Sequence, residues 1–157
     1  MRFIVIILTG VFGVNGSLYA SEEISYPTGY RHWTHVKTLT LHKGHPLQNP
    51  FRGIHHIYAN PLAFDGLISG QYKNGSKFVF DLLENDTASH ASSEGKRVLT
   101  AVMIKDKKRF ARTGGWGFEA WKKDSRIKRI TSDNGVSCFS CHTSQKQADF
   151  VFSKWRK

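Results

Sequence analysis

The chain has 157 residues, 39% of them hydrophobic and 22% charged, with a formal net charge of +11. That length suggests one domain, and the apolar share supports a core while excluding a protein made mainly of membrane spans. Cys138 and Cys141 are the only cysteines, so there is no second pair to complete a four-ligand zinc site.

Arg2 precedes the apolar run Phe3 to Val14, and Ser17-Leu18-Tyr19-Ala20 follows with small and neutral residues. This is the pattern of an export signal spanning residues 1–20, with cleavage after Ala20 and a mature domain over 21–157. The run is too short to span a bilayer comfortably. An uncleaved N-terminal anchor is the alternative.

Residues 21–30 have no period and read as a lead-in. Arg31 to Leu41 alternates like a strand. Gly44, His45, Pro46 and Pro50 make a loop. Gly53 to Tyr58 is a second strand. Asn60-Pro61 opens a helix running through Leu67 and ending near Gly70, because Asn caps and Pro is tolerated at the first helical position. Asn74-Gly75 is a hairpin-turn signal leading into a strand over Ser76 to Leu83, with Phe78, Phe80 and Leu82 on one face. Residues 85–96 are polar and read as a loop. Arg97 to Ile104 is the next strand, Lys105 to Arg112 a basic turn or short helix, and Trp116 to Trp121 a strand after the Gly114-Gly115 break. Ala148 to Trp155 closes the chain with Phe150, Phe152 and Trp155 available for packing. The expected fold is mainly β, an antiparallel sheet with a few short helices.

Cys138-Phe139-Ser140-Cys141-His142 is the attachment signature of a c-type haem. Each thiol adds across a vinyl group to form a thioether, and the adjacent imidazole reaches the iron from the same side. A redox disulfide is the competing reading, but it leaves His142 unexplained and sits far from the start of an α/β unit. One covalently held haem c follows, with His142 as the iron ligand. An export signal agrees with this, since bacterial c-type haem is attached outside the cytoplasmic membrane. The expected location is the periplasm, where nucleic acid is scarce.

The other axial position decides function: a strong second ligand makes an electron carrier, an open one permits gas binding or catalysis. After signal removal Met103 is the only methionine, and it lies in an apolar strand that suits core packing. His32, His35, His42, His45, His55, His56 and His90 are further candidates. His55 and His56 are neighbours on a strand, so only one of them can point at a haem. From Lys105 to Lys157 there are fourteen Lys or Arg and five Asp or Glu. This is a solvated basic surface, or one that docks an acidic redox partner or an anionic membrane surface.

The ordered set Tyr30-Arg31-x-Trp33, Pro50-Phe51-x-x-Ile54, Tyr58-x-Asn60-Pro61, Asn74-Gly75 before Phe80, Lys105-Asp106-x-x-Arg109-Phe110, Gly115-Trp116, the haem motif and Asp149-x-Val151-Phe152 resembles the cytochrome P-460 family, which includes the cytochromes c'-beta. The resemblance implies a β-sheet fold, a homodimer and a five-coordinate haem with His142 as proximal ligand. The hydroxylamine-oxidising members carry a lysine cross-linked to the haem. Phe80 occupies the matching position here, and Lys77 lies three residues away on the opposite face. The resemblance therefore implies the c'-beta branch, with Phe51 and Phe80 capping the distal side and NO and CO as ligands.

An apolar cap gives no hydrogen bond to dioxygen or water, which leaves NO and CO comparatively favoured. Scavenging, detoxification or sensing of nitric oxide is the expected role. One rival is an oxidoreductase of nitrogen-oxide metabolism, which needs a distal proton acceptor; Glu119 is the better candidate and Asp81 the other. The second rival is a six-coordinate electron-transfer cytochrome.

Overall fold

The computed structural model describes residues 23–156. The expected signal at 1–20 lies outside the described residues. A short 3-10 turn at Tyr30–His32 leads into five strands: β1 (Thr34–Leu41), β2 (Gly53–Ala59), β3 (Lys77–Ala88), β4 (Ala91–Lys105) and β5 (Trp116–Lys122). All neighbours are antiparallel and the strand order follows the chain order, so the fold is one meandering sheet. The helices are a single turn α1 (Gln48–Phe51), α2 (Pro61–Ser69) and α3 (Val136–His142), with 3-10 turns at Ala111–Thr113 and Thr143–Ala148. The mainly β antiparallel fold expected from the alternation is the one observed.

Asn60 starts α2 and also ties it to the sheet. Its Oδ1 accepts from the Ala63 N–H at 2.9 Å and the Lys77 N–H at 2.9 Å, while its Nδ2 donates to the Gly75 carbonyl at 2.9 Å. Pro61 occupies the first helical position, and Gly70 ends the helix in the left-handed region at φ 76°.

The register places Phe78 opposite Met103, and Met103 opposite Phe118. With Ala59, Ala63, Tyr72, Trp116 and Val151 they form the buried core on the sheet face covered by α2 and α3. The other face buries Val79, Val102, Trp121 and Tyr30, packed by Ile24, Tyr26 and Trp33 of the lead-in. Both faces of the central strands are therefore covered, and for this reason β3 shows no clean alternation of apolar and polar residues.

Three sequence expectations change. Residues 85–96 are not a loop: β3 and β4 continue as a paired arm, with Asn85 opposite Glu94 and Ala88 opposite Ala91. Ser89 (φ 51°) and His90 (φ 62°) make its two-residue turn. The ladder satisfies the backbone while most side chains on both sides meet solvent, so the arm has no apolar stripe to betray it. Asn74-Gly75 is a turn, but it joins α2 to β3 instead of pairing two strands; Asn74 Oδ1 accepts from Lys107 N–H at 3.0 Å. The first strand begins at Thr34, because Tyr30 and Arg31 are drawn out of strand geometry towards Asp81.

Candidate haem site

Asp133 fixes the start of α3. Its Oδ2 accepts from Ser137 N–H at 2.8 Å and its Oδ1 from Gly135 N–H at 3.0 Å, and these bonds hold the carboxyl below its usual range. Gly135 has φ +81°, and a Cβ there would lie 2.8 Å from the Phe118 Cβ. Glycine thus lets the helix sit directly on β5. The helix carries Cys138, Cys141 and His142 at spacings of three and four residues, which puts all three on one side. Cys138 is half-buried and Cys141 exposed. Burial, then the nearby Asp133 charge, pushes the Cys138 thiol up.

His142 Nδ1 lies 2.7 Å from the Phe150 carbonyl. A carbonyl only accepts, so Nδ1 carries the proton and Nε2 keeps its lone pair. Burial lowers the pKa of the ring and favours this neutral form. Phe118 lies 4.9 Å and Phe152 5.0 Å from the imidazole between ring centroids.

Phe118 continues along β5 to Ala120, which pairs with Ala101 and through it with Phe80. These four residues share one sheet face. Phe80 is crossed by Phe51 at 5.9 Å and 84°. His55, buried on the same face, stands edge-on to Phe80 at 4.7 Å and donates from Nε2 to the Phe51 carbonyl. Two alanines thus separate the aromatic pair from the His142 stack and keep the sheet surface low between them. The thiol pair, the imidazole with a free lone pair and this flat, small-residue floor suit a haem.

The two carboxylates considered as distal bases are not on this face. Glu119 pairs with Val102 and is held by Arg129 at 2.5 Å. Asp81 is fully buried on that same far side, accepting from Tyr30 at 2.7 Å, Arg31 at 2.9 Å and Arg97 at 2.7 Å. Burial alone would raise the Asp81 carboxyl, but the bonds from Arg97, Tyr30 and Arg31 together hold it below its usual range. Lys77 lies on that side of β3 as well, in step with Val79 and Asp81. Strand alternation turns all three away from the floor that Phe80 and Phe118 share.

Met103 is part of the core with Phe78 and Trp116. His56 faces away from the floor; its Nδ1 lies 2.8 Å from Thr38 Oγ1, and its Nε2 comes within 2.7 Å of Glu94 without hydrogen-bond alignment. His32, His35, His42, His45 and His90 are exposed. Sequence reading did not foresee the His55–Phe51 bond or the aromatic rings around His142, because both depend on approaches between distant segments. The adjacent His55-His56 pair was the available signal, since alternation sends one of the two to the site face.

A five-stranded antiparallel sheet, with a C-terminal helix presenting two thiols and an imidazole beside a low aromatic-walled floor, is the class of protein these features define. The sequence model of the cytochrome P460 family matches residues 27–153, and the chain belongs to that family. The family implies a haem cofactor. None of the curated proteins matches the chain. Among the described residues no helix is long and apolar enough to cross a membrane.

Proposed function

We propose that this chain is an exported, periplasmic cytochrome of the c'-beta type that binds NO, and also CO, at one covalently attached haem. Residues 1–20 act as the export signal and 21–157 as the haem domain. Cys138 and Cys141 form the thioethers, and His142 Nε2 binds the iron. A ferrous haem held there through His142 would supply iron able to take up a diatomic ligand. Phe51 and Phe80 exclude water from that side and offer no hydrogen bond, while His55 holds the Phe51 backbone. The protein works as a homodimer in nitric oxide scavenging, detoxification or sensing, with an acidic redox partner for any electron exchange.

One observation carries this reading: the site face presents Phe51 and Phe80, while Asp81, Glu119 and Lys77 face the other way. An oxidoreductase that must remove protons from hydroxylamine wants a base at the site, and a cross-linked enzyme wants a lysine there. Asp81, Glu119 and Lys77 supply neither from the far face, and His55, beside Phe80, spends its Nε2–H on the Phe51 carbonyl.

Absorption spectra of the ferric, ferrous and CO-treated protein test it. A high-spin ferrous spectrum that shifts on CO and NO addition is expected, and alkaline pyridine should give the thioether-type haemochrome. A low-spin spectrum indifferent to CO would refute the reading in favour of an electron carrier. A red-shifted ferrous Soret band with a lysine cross-link found by mass spectrometry would refute it in favour of the hydroxylamine enzyme.

A further inference from the structure

Lys105, at the end of β4, is a buried lysine, only 2% exposed. Its Nζ sits 2.7 Å from both Asp149 carboxylate oxygens, 3.1 Å from the Gly114 carbonyl and 4.8 Å over the Trp116 ring. Trp116, fully buried, donates from Nε1 to the Asp149 main-chain carbonyl at 2.9 Å. Asp149 is thereby held at both its side chain and its backbone.

What this holds is an unusual stretch of chain. Asp149 (φ 50°) and Phe150 (φ 65°) are consecutive non-glycine residues in the left-handed region. L side chains rarely adopt this conformation, so the surroundings must impose it. The Phe150 ring fills the space beside Gly114, where a Cβ would come within 2.3 Å of it, and the Phe150 main-chain N–H donates to the Gln145 carbonyl at 2.8 Å. The next polar atom along the chain is the Phe150 carbonyl, which accepts from His142 Nδ1.

We propose that Lys105, Asp149 and Trp116 are positioning residues for the iron ligand: they hold the left-handed Asp149–Phe150 step so that the Phe150 carbonyl is aimed at His142 Nδ1. This rests on the reading of His142 as the iron ligand. A carbonyl accepting from Nδ1–H fixes the tautomer and the ring plane and makes Nε2 a stronger donor. A buried ion pair some 40 residues apart in sequence therefore sets the strength of the iron–histidine bond without touching the haem.

The test uses the haem-loaded protein and the variants Lys105→Met, Asp149→Asn and Trp116→Phe. Resonance Raman of the ferrous form reads the iron–histidine stretch, and a redox titration reads the ferric–ferrous balance. The expected result is a stretch at lower wavenumber in each variant, and a reduced-to-oxidised ratio at fixed potential raised by roughly tenfold in the strongest, the scale typical of lost ligand-supporting bonds. Val79→Ala, a core truncation on the far face, lowers stability without moving either signal, which separates positioning from loss of stability. If Lys105→Met fails to fold, Trp116→Phe and Asp149→Asn decide the matter. A wild-type protein with no iron–histidine mode would overturn the five-coordinate reading of the site and this inference together. A clear wild-type mode that stays put in every folded variant overturns this inference alone.

Discussion

Asp81 shows how one buried charge is made tolerable. Its carboxylate is surrounded by the Tyr30 hydroxyl and two guanidinium groups, of which Arg31 remains about half exposed and Arg97 mostly covered. Removing the carboxylate strands the buried donors, so Asp81→Ala should cost about 2–4 kcal/mol in urea unfolding, at the lower end of buried pairs because Arg31 keeps its water. A loss below about 0.5 kcal/mol would mean the network contributes specificity only. Two of the depressed groups, Asp81 and His55, show how the pH response arises. Asp81 has a folded pKa below its ordinary 3.8, so its contribution is complete above that value and disappears as pH falls through the lower folded value. His55, lowered chiefly by burial from 6.5, is neutral in the fold and takes up a proton on unfolding; stability therefore begins to fall as pH drops below about 6.5. Thermal melts should show the first step below about pH 6.5 and the onset of the second below pH 3.8, and His55→Gln should shrink the first. At the site, Phe80→Ala should raise the CO association rate by opening the cap, as should Phe51→Ala; stopped-flow rates unchanged in both would rule out a cap there.

Among the elements, α2 depends on Asn60 more than its length suggests. The one side chain caps the helix and joins it to Gly75 and Lys77, so Asn60→Ala should lose about 1–2 kcal/mol, the upper part of the range for helix caps. Asn60→Asp keeps the acceptor and should recover about half of it, and chemical denaturation distinguishes the two. The β3–β4 arm beyond Asn85 is different in kind. Its pairing is mostly backbone and its side chains are mostly exposed, so it adds little apolar burial. Replacing Thr87–Ser92 with a two-residue Asn-Gly turn should leave the melting temperature within a few degrees and the haem spectrum unchanged.

Across the molecule, one sheet separates two kinds of chemistry. The face towards α3 is aromatic and small-residue but for the Lys105–Asp149 pair at its edge, whereas the opposite face carries the charges of Asp81, Arg31, Arg97 and Glu119–Arg129. Substitutions on the charged face should lower stability and leave the ferrous CO spectrum alone, whereas those at Phe51, Phe80 or His55 should change CO binding. The net charge of +11 makes any encounter with an acidic partner salt-dependent, so the reduction rate by such a partner should fall steeply as ionic strength rises past the point where the Debye length reaches about 10 Å. Local chemistry was readable without coordinates. The Cys138-to-His142 spacing, the Asn60-Pro61 helix start, Gly70 and the β-branched and aromatic runs each act over a few residues, where bonding rules leave few choices. Period-two alternation even told that Phe80 and Lys77 part company. What alternation does not supply is the side of the sheet that the C-terminal helix will cover, since that choice is made by contacts such as Gly135 against Phe118, between segments far apart in the chain. Only in the fold did Glu119 and Asp81 turn out to serve arginines on the far face, and only there did Lys105 and Asp149 meet behind His142. Buried charges pair wherever the folded chain brings them together, and nothing in their sequence separation announces it.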